Sequence, residues 1–118
     1  MPKMTSGQIT SRLLLELPKR FPCRAWRQNT GAAVGASGRM IRFGVRGQAD
    51  ITGIIDVSGC GVRLEIEVKA GRDQPSEQQV NFGAMIERMG GIYVLARDVE
   101  GALDAIEQWR SRIGGQQQ

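Results

Sequence analysis

The sequence contains no histidine. That absence removes a Ser-His-Asp triad, a Cys-His pair and histidine-ligated zinc from its possible chemistry. Cysteine is nearly absent too: Cys23 and Cys60 stand far apart, in no metal-like spacing. Two lone thiols fit a reduced cytosolic setting, with Cys23 read as a small buried side chain. No apolar run is long enough to span a bilayer, and the start lacks the apolar region of a signal peptide. The expected location is cytoplasmic, with no membrane partner. The glycines from Gly31 to Gly38 are followed by no Gly-Lys-Ser/Thr, so no P-loop and no nucleotide cofactor is expected. Any metal must be held mainly by oxygen from Asp, Glu, backbone or water. Such donors suit a hard cation, Mg2+ or Mn2+.

What the chain has is positive charge on a modest length. Its 118 residues suffice for one core, so residues 1–118 read as a single domain, with a flexible tail over about 114–118. The net charge of +4 and pI near 9.7 favour a polyanionic partner. Arginine supplies most of this charge. Lysine occurs only at Lys3, Lys19 and Lys69. The last of these stands two residues from Glu67, where a compact point charge has a use.

Thr5 or Ser6 can cap a first helix in which Ile9, Leu13, Leu14 and Leu17 recur at helical spacing, ended by Pro18. Arg24 to Asn29 alternates as a short strand. Thr30 to Gln48 is glycine-rich and reads as a long, partly extended loop. Ile51 to Val57 is β-branched and apolar, hence a buried strand. Ser58-Gly59-Cys60-Gly61 marks a turn, and Val62 to Val68 returns as the second arm of a hairpin. Ser76 opens a helix to about Met89, which Gly90-Gly91 stops. Ile92 to Leu95 is another buried strand. Asp98 caps a last helix through Leu103, Ile106, Trp109 and Ile113. The expected class is α/β, with a mixed central sheet flanked by helices and a right-handed β-α-β crossover.

The chemistry concentrates in Asp50 and in Glu65-Ile66-Glu67-Val68-Lys69. Alternation along a strand puts Glu65, Glu67 and Lys69 on one face, and Ile66 and Val68 on the other. Asp50 joins them if its strand pairs with the one carrying Glu67. Hydrolysing a phosphodiester requires neutralised phosphate charge, a deprotonated water and a stabilised leaving oxygen, which carboxylate-held Mg2+ largely supplies. Asp50 and Glu67 are the candidate ligands, with the Val68 carbonyl as a third. Lys69 would orient or help deprotonate the water. The plainer alternative is a set of exposed charges solvating one face of a hairpin, since Glu-x-Lys is common on strands.

Four ordered motifs span about Trp26 to Ile106: Gly47-Gln48-Ala49-Asp50-Ile51, Glu67-Val68-Lys69, Ser76-Glu77-Gln78-Gln79, and Gly90-Gly91 with Val94-Leu95-Ala96-Arg97. Together they resemble the virus-type replication-repair nuclease (VRR-NUC) domain of the PD-(D/E)xK nuclease superfamily. Ala49 departs from the pattern, where the family often has proline. The resemblance implies a restriction-endonuclease-like α-β-β-β-α-β-α core with no accessory domain. It implies that Asp50, Glu67 and Lys69 are catalytic and that an acidic residue of the first helix completes the metal site. Glu16 is the only acidic residue before Asp50, although it also reads as an exposed carboxylate pairing with Lys19 or Arg20. Gln79 matches a glutamine near the family's active site. Ser76-x-x-Gln79 is equally a capping box.

Arg27, Arg39, Arg42, Arg46 and Arg72 flank these motifs and as a cluster suit phosphate contacts, though each alone reads as a solvated charge. Trp26 and Phe43 suit base stacking, or a core or interface. By resemblance, stand-alone domains of this size are phage or bacterial homodimers acting on branched DNA, especially four-way junctions. A two-fold dimer would place two sites against two symmetric strands. The expectation is a Holliday-junction-resolvase-like endonuclease. The alternatives are a structure-tolerant nickase or flap nuclease, a non-catalytic basic DNA-binding module, and a restriction-system subunit.

Overall fold

The structure is a computed structural model that describes residues 3–28 and 31–116, with the backbone alone described for 31–34, 41–43 and 116. Its first helix, α1 (Ser6–Arg20), begins at Thr5 in a reciprocal capping box: Thr5 Oγ1 accepts from the Gln8 N–H and Gln8 Oε1 from the Thr5 N–H. Ile9, Leu13 and Leu17, four apart, form one buried stripe. The helix runs past Pro18 to Arg20 instead of ending there. In the last turn, proline removes only one helical donor, and the Leu17 carbonyl is still met by the Phe21 N–H at 2.9 Å.

The strands are β1 (Cys23–Arg27), β2 (Gly31–Val34), β3 (Met40–Phe43), β4 (Ile51–Val57), β5 (Cys60–Val68) and β6 (Ile92–Ala96). The segment expected to be a loop over Thr30 to Gln48 thus contains a β2–β3 hairpin, with Gly31 opposite Phe43 and Val34 opposite Met40. Gly38, at φ +80°, makes its turn. The short runs lack the alternation that marks a half-buried strand, so local pairing decided what periodicity did not.

The main sheet has the order β1-β4-β5-β6. β4 runs antiparallel to both β1 and β5, and β6 lies parallel to β5. Helix α2 (Glu77–Arg88) makes the crossover between β5 and β6, and α3 (Val99–Gln116) follows. α3 continues through Gly114 rather than fraying there. The result is a mixed α/β architecture with a four-stranded mixed sheet flanked by helices.

Register sorts the sheet into two faces. Ile51, Ile55, Leu64, Ile66, Ile92 and Val94 point to the face packed by Ile9, Leu13 and Leu17 of α1 and Leu103 and Ile106 of α3. The opposite face carries Trp26, Thr52, Glu65 and Tyr93 in one cross-strand row. α2 covers only part of that face, where Phe82 and Ile86 pack with Ala49 and Tyr93. This one-sided cover positions the polar residues of β5 beneath a helix end.

Candidate active site

β4 pairs with β5 so that Ile51 opposes Ile66. One step further along the same register sets Asp50 opposite Glu67. The Asp50 backbone is held on its other side, where its carbonyl accepts from the Gln28 N–H at 2.8 Å. Its side chain is fixed as well: Oδ2 accepts from the Val68 N–H at 2.8 Å. Val68, expected to offer its carbonyl as a ligand, also contributes its amide to the site.

The approach to Asp50 depends on Gly47. Its φ is +79°, and a Cβ there would stand 2.1 Å from the Gln78 carbonyl oxygen. The turn before Asp50 therefore packs directly on the first turn of α2, and only glycine allows that distance.

Glu67 is 2 % exposed. That figure rules out a solvated carboxylate on an open hairpin face. Burial, and then the neighbouring Asp50 carboxylate, push its pKa up to about 8. The Lys69 charge moderates this. Lys69 Nζ lies 3.9 Å from Glu67 Oε1 with its side chain half-buried, and its charge favours the ionised form. Gln79 Nε2 donates to the same oxygen at 2.6 Å. The other oxygen, Oε2, is buried with no hydrogen-bond partner.

Gln79 does two things at once. Its Oε1 accepts from the Ser76 N–H at 2.8 Å, and its own N–H donates to Ser76 Oγ. These bonds close the capping box of α2, leaving Nε2 free to reach Glu67. The cap thereby fixes the amide that faces the carboxylate.

Two neighbours have no site role in the sequence reading, although it places Glu65 on the face of Glu67 and Lys69. Glu65 is fully buried, held by Arg63 Nη2 at 2.7 Å and by the Thr52 hydroxyl, which donates at 3.0 Å. Burial raises its pKa against both partners. Tyr93, directly across from Glu65 on β6, donates its hydroxyl to the Gln79 carbonyl. Burial and the nearby carboxylates push Tyr93 up to about 12. Gly83 makes room for that ring, since a Cβ there would lie 2.5 Å from Tyr93 Cε1. A Glu-x-Glu pair on one strand was the available signal for Glu65. Tyr93 gave none, because its role depends on strand order.

Other candidates lie elsewhere. Glu16 pairs with Arg12 at 3.2 Å and Lys19 at 3.8 Å on the surface of α1. Among the described residues, no group of three or more His, Cys, Asp or Glu side chains gathers to hold a metal ion, so Glu16 does not join Asp50 and Glu67. Arg27 donates to Ser11 Oγ, and Arg39, Arg46 and Arg72 are exposed. The side chain of Arg42 lies outside the described residues. Arg97 donates to the Gly71 and Asp73 carbonyls, at 3.1 and 2.7 Å, and pins the loop after Lys69.

The donors fit a hard divalent cation in kind: two carboxylates side by side, one buried oxygen lacking a partner, and no nitrogen or sulfur ligand. No helix of the described residues is long and apolar enough to cross a membrane. No family model matches the chain, and no curated protein matches it significantly.

Proposed function

We propose that the protein is a Mg2+- or Mn2+-dependent DNA endonuclease with a restriction-endonuclease-like core, acting on branched DNA. The observation that carries this reading is buried Glu67 against half-buried Asp50 and beside Lys69, with one Glu67 oxygen lacking a partner. Two carboxylates in mutual repulsion are a costly arrangement unless a cation or a proton sits between them. The mixed four-stranded sheet flanked by helices is compatible with this reading, and the motif resemblance supports it.

Asp50 and Glu67 would hold the cation, which when bound neutralises phosphate charge and lowers the pKa of a bound water. The Val68 N–H holds the Asp50 carboxylate in place, and Gln79 does the same for Glu67. Lys69 orients the attacking water and stabilises the negative charge developing on the phosphate. The exposed arginines Arg39, Arg46 and Arg72 grip the backbone without reading bases.

The test is a cleavage assay on a four-way junction, a flap and a linear duplex, each with Mg2+ and with Mn2+. Cutting that needs the metal, favours the junction and disappears in Asp50→Asn supports the reading. Equal cutting of all three substrates would leave a structure-tolerant nickase. Binding without cutting would leave a DNA-binding module.

A further inference from the structure

The sheet face that bears Asp50 and Glu67 is covered by α2 over only one half. Over β1 and β4 it stays open, and there Trp26 is 50 % and Ile54 51 % exposed. These two apolar side chains wall a cleft of about 460 Å³ together with Gln28, Thr52 and Arg63. Gln28, Thr52 and Arg63 add polar side chains to this mainly apolar lining. Thr52 and Arg63 are each bonded to buried Glu65, which fixes where those two side chains stand.

The cleft adjoins the candidate active site by register. Trp26 opposes Thr52 and Thr52 opposes Glu65. Gln28, Asp50 and Glu67 form the next row on the same face. Residues two apart on a strand are about 6.7 Å apart, so the cleft lies one short step from the carboxylates. Gln28 belongs to both, lining the cleft and donating its N–H to the Asp50 carbonyl.

We infer that this cleft seats an unpaired base of the DNA strand being cut, stacked on Trp26 and met at its edge by Gln28 and Arg63. The inference rests on the nuclease reading and adds that the branched DNA presents an unpaired base at its branch point when bound. An aromatic platform accepts any base, because every base has a π face. Arg24, which shares this face opposite Ile54, supplies positive charge for the flanking phosphates. A second copy of the chain is the poorer occupant, since seated there it would close off the adjoining Asp50–Glu67 row.

The experiment uses the full chain carrying Trp109→Phe, so that Trp26 is the sole tryptophan. In EDTA, to prevent cutting, it is titrated with an oligo-thymidine strand and with a blunt two-strand duplex, free of any loop, of equal phosphate count. The single strand should quench Trp26 emission and the duplex should not. Trp26→Ala should weaken single-strand binding by roughly 5- to 150-fold, the range expected for losing one stacked base, with Trp26→Phe falling between. Unchanged thermal midpoints in both variants exclude a folding defect. DNA binding that leaves Trp26 emission and both variants unaltered would overturn this inference and spare the nuclease reading. A Trp26→Ala protein that drops from twice the chain mass to the chain mass in light scattering would assign the face to a dimer instead. No binding to any DNA would sink both.

Discussion

Replacing Glu67 by glutamine should make the metal-free protein more stable at pH 8 and change it little near pH 4. The wild-type carboxyl is held at about 8 in the folded protein against an ordinary value of 4.5. A carboxyl raised on folding contributes stability that is complete below 4.5 and lost as pH climbs through 8. Over that window the folded state forfeits roughly 4 kcal/mol, with relaxation of Asp50 reducing the figure. Glutamine keeps an oxygen for the Gln79 bond and puts an NH2 where the partnerless oxygen stands. The expected gain at pH 8 is therefore about 2 kcal/mol, or roughly 8 °C in thermal midpoint for a chain of this size. The assay is calorimetric melting of both proteins in EDTA at several pH values between 4 and 8. A variant less stable than wild type at pH 8, or a difference that does not grow with pH, would refute the claim that Glu67 is a buried, repelled carboxylate.

Lys69→Ala should abolish nicking while the melting midpoint stays near wild type, because the side chain is half-buried and packs no core; a folded variant that still nicks removes Lys69 from the reaction. Manganese titration of Asp50→Asn should lose its heat signal, whereas an unchanged titration would locate the metal elsewhere. Gly47→Ala should cost about 1–3 kcal/mol from positive φ alone and more from its clash with the Gln78 carbonyl; a denaturant midpoint equal to wild type would show that the turn does not dock on α2 as described. The native chain should run at twice its mass in light scattering, and raising salt from 50 to 200 mM should weaken DNA binding by at least tenfold if arginine–phosphate contacts dominate; salt-insensitive binding would discount the arginine cluster.

The sequence by itself determined the pieces whose logic is local. Ser76 with Gln79 is a capping box readable as spacing, and Thr5 was one of two caps open to the first helix; both helices start there. The β-branched run from Ile51 and the alternation to Val68 mark a hairpin, because side-chain period follows from strand geometry alone. Glu67 and Lys69 stood out for the same reason. Pro18 and Gly114 misled, since a helix end is set by whether its last turn is supported, not by one residue's propensity. The hairpin of β2 and β3 was hidden because its strands pair only with each other and their short sequences show no period-two alternation. What only the tertiary structure decided is which carboxylates meet. Asp50 reaches Glu67 through the register of β4 on β5, and Glu16 stays away with Arg12 and Lys19 on α1. Burial of Glu67 comes from its place on β5, between two neighbouring strands. Its bond to Gln79 comes from α2, a helix that follows it in the chain. Neither packing nor the loss of water that raises a carboxyl's pKa has any signature in sequence order, because both depend on residues brought close only by folding.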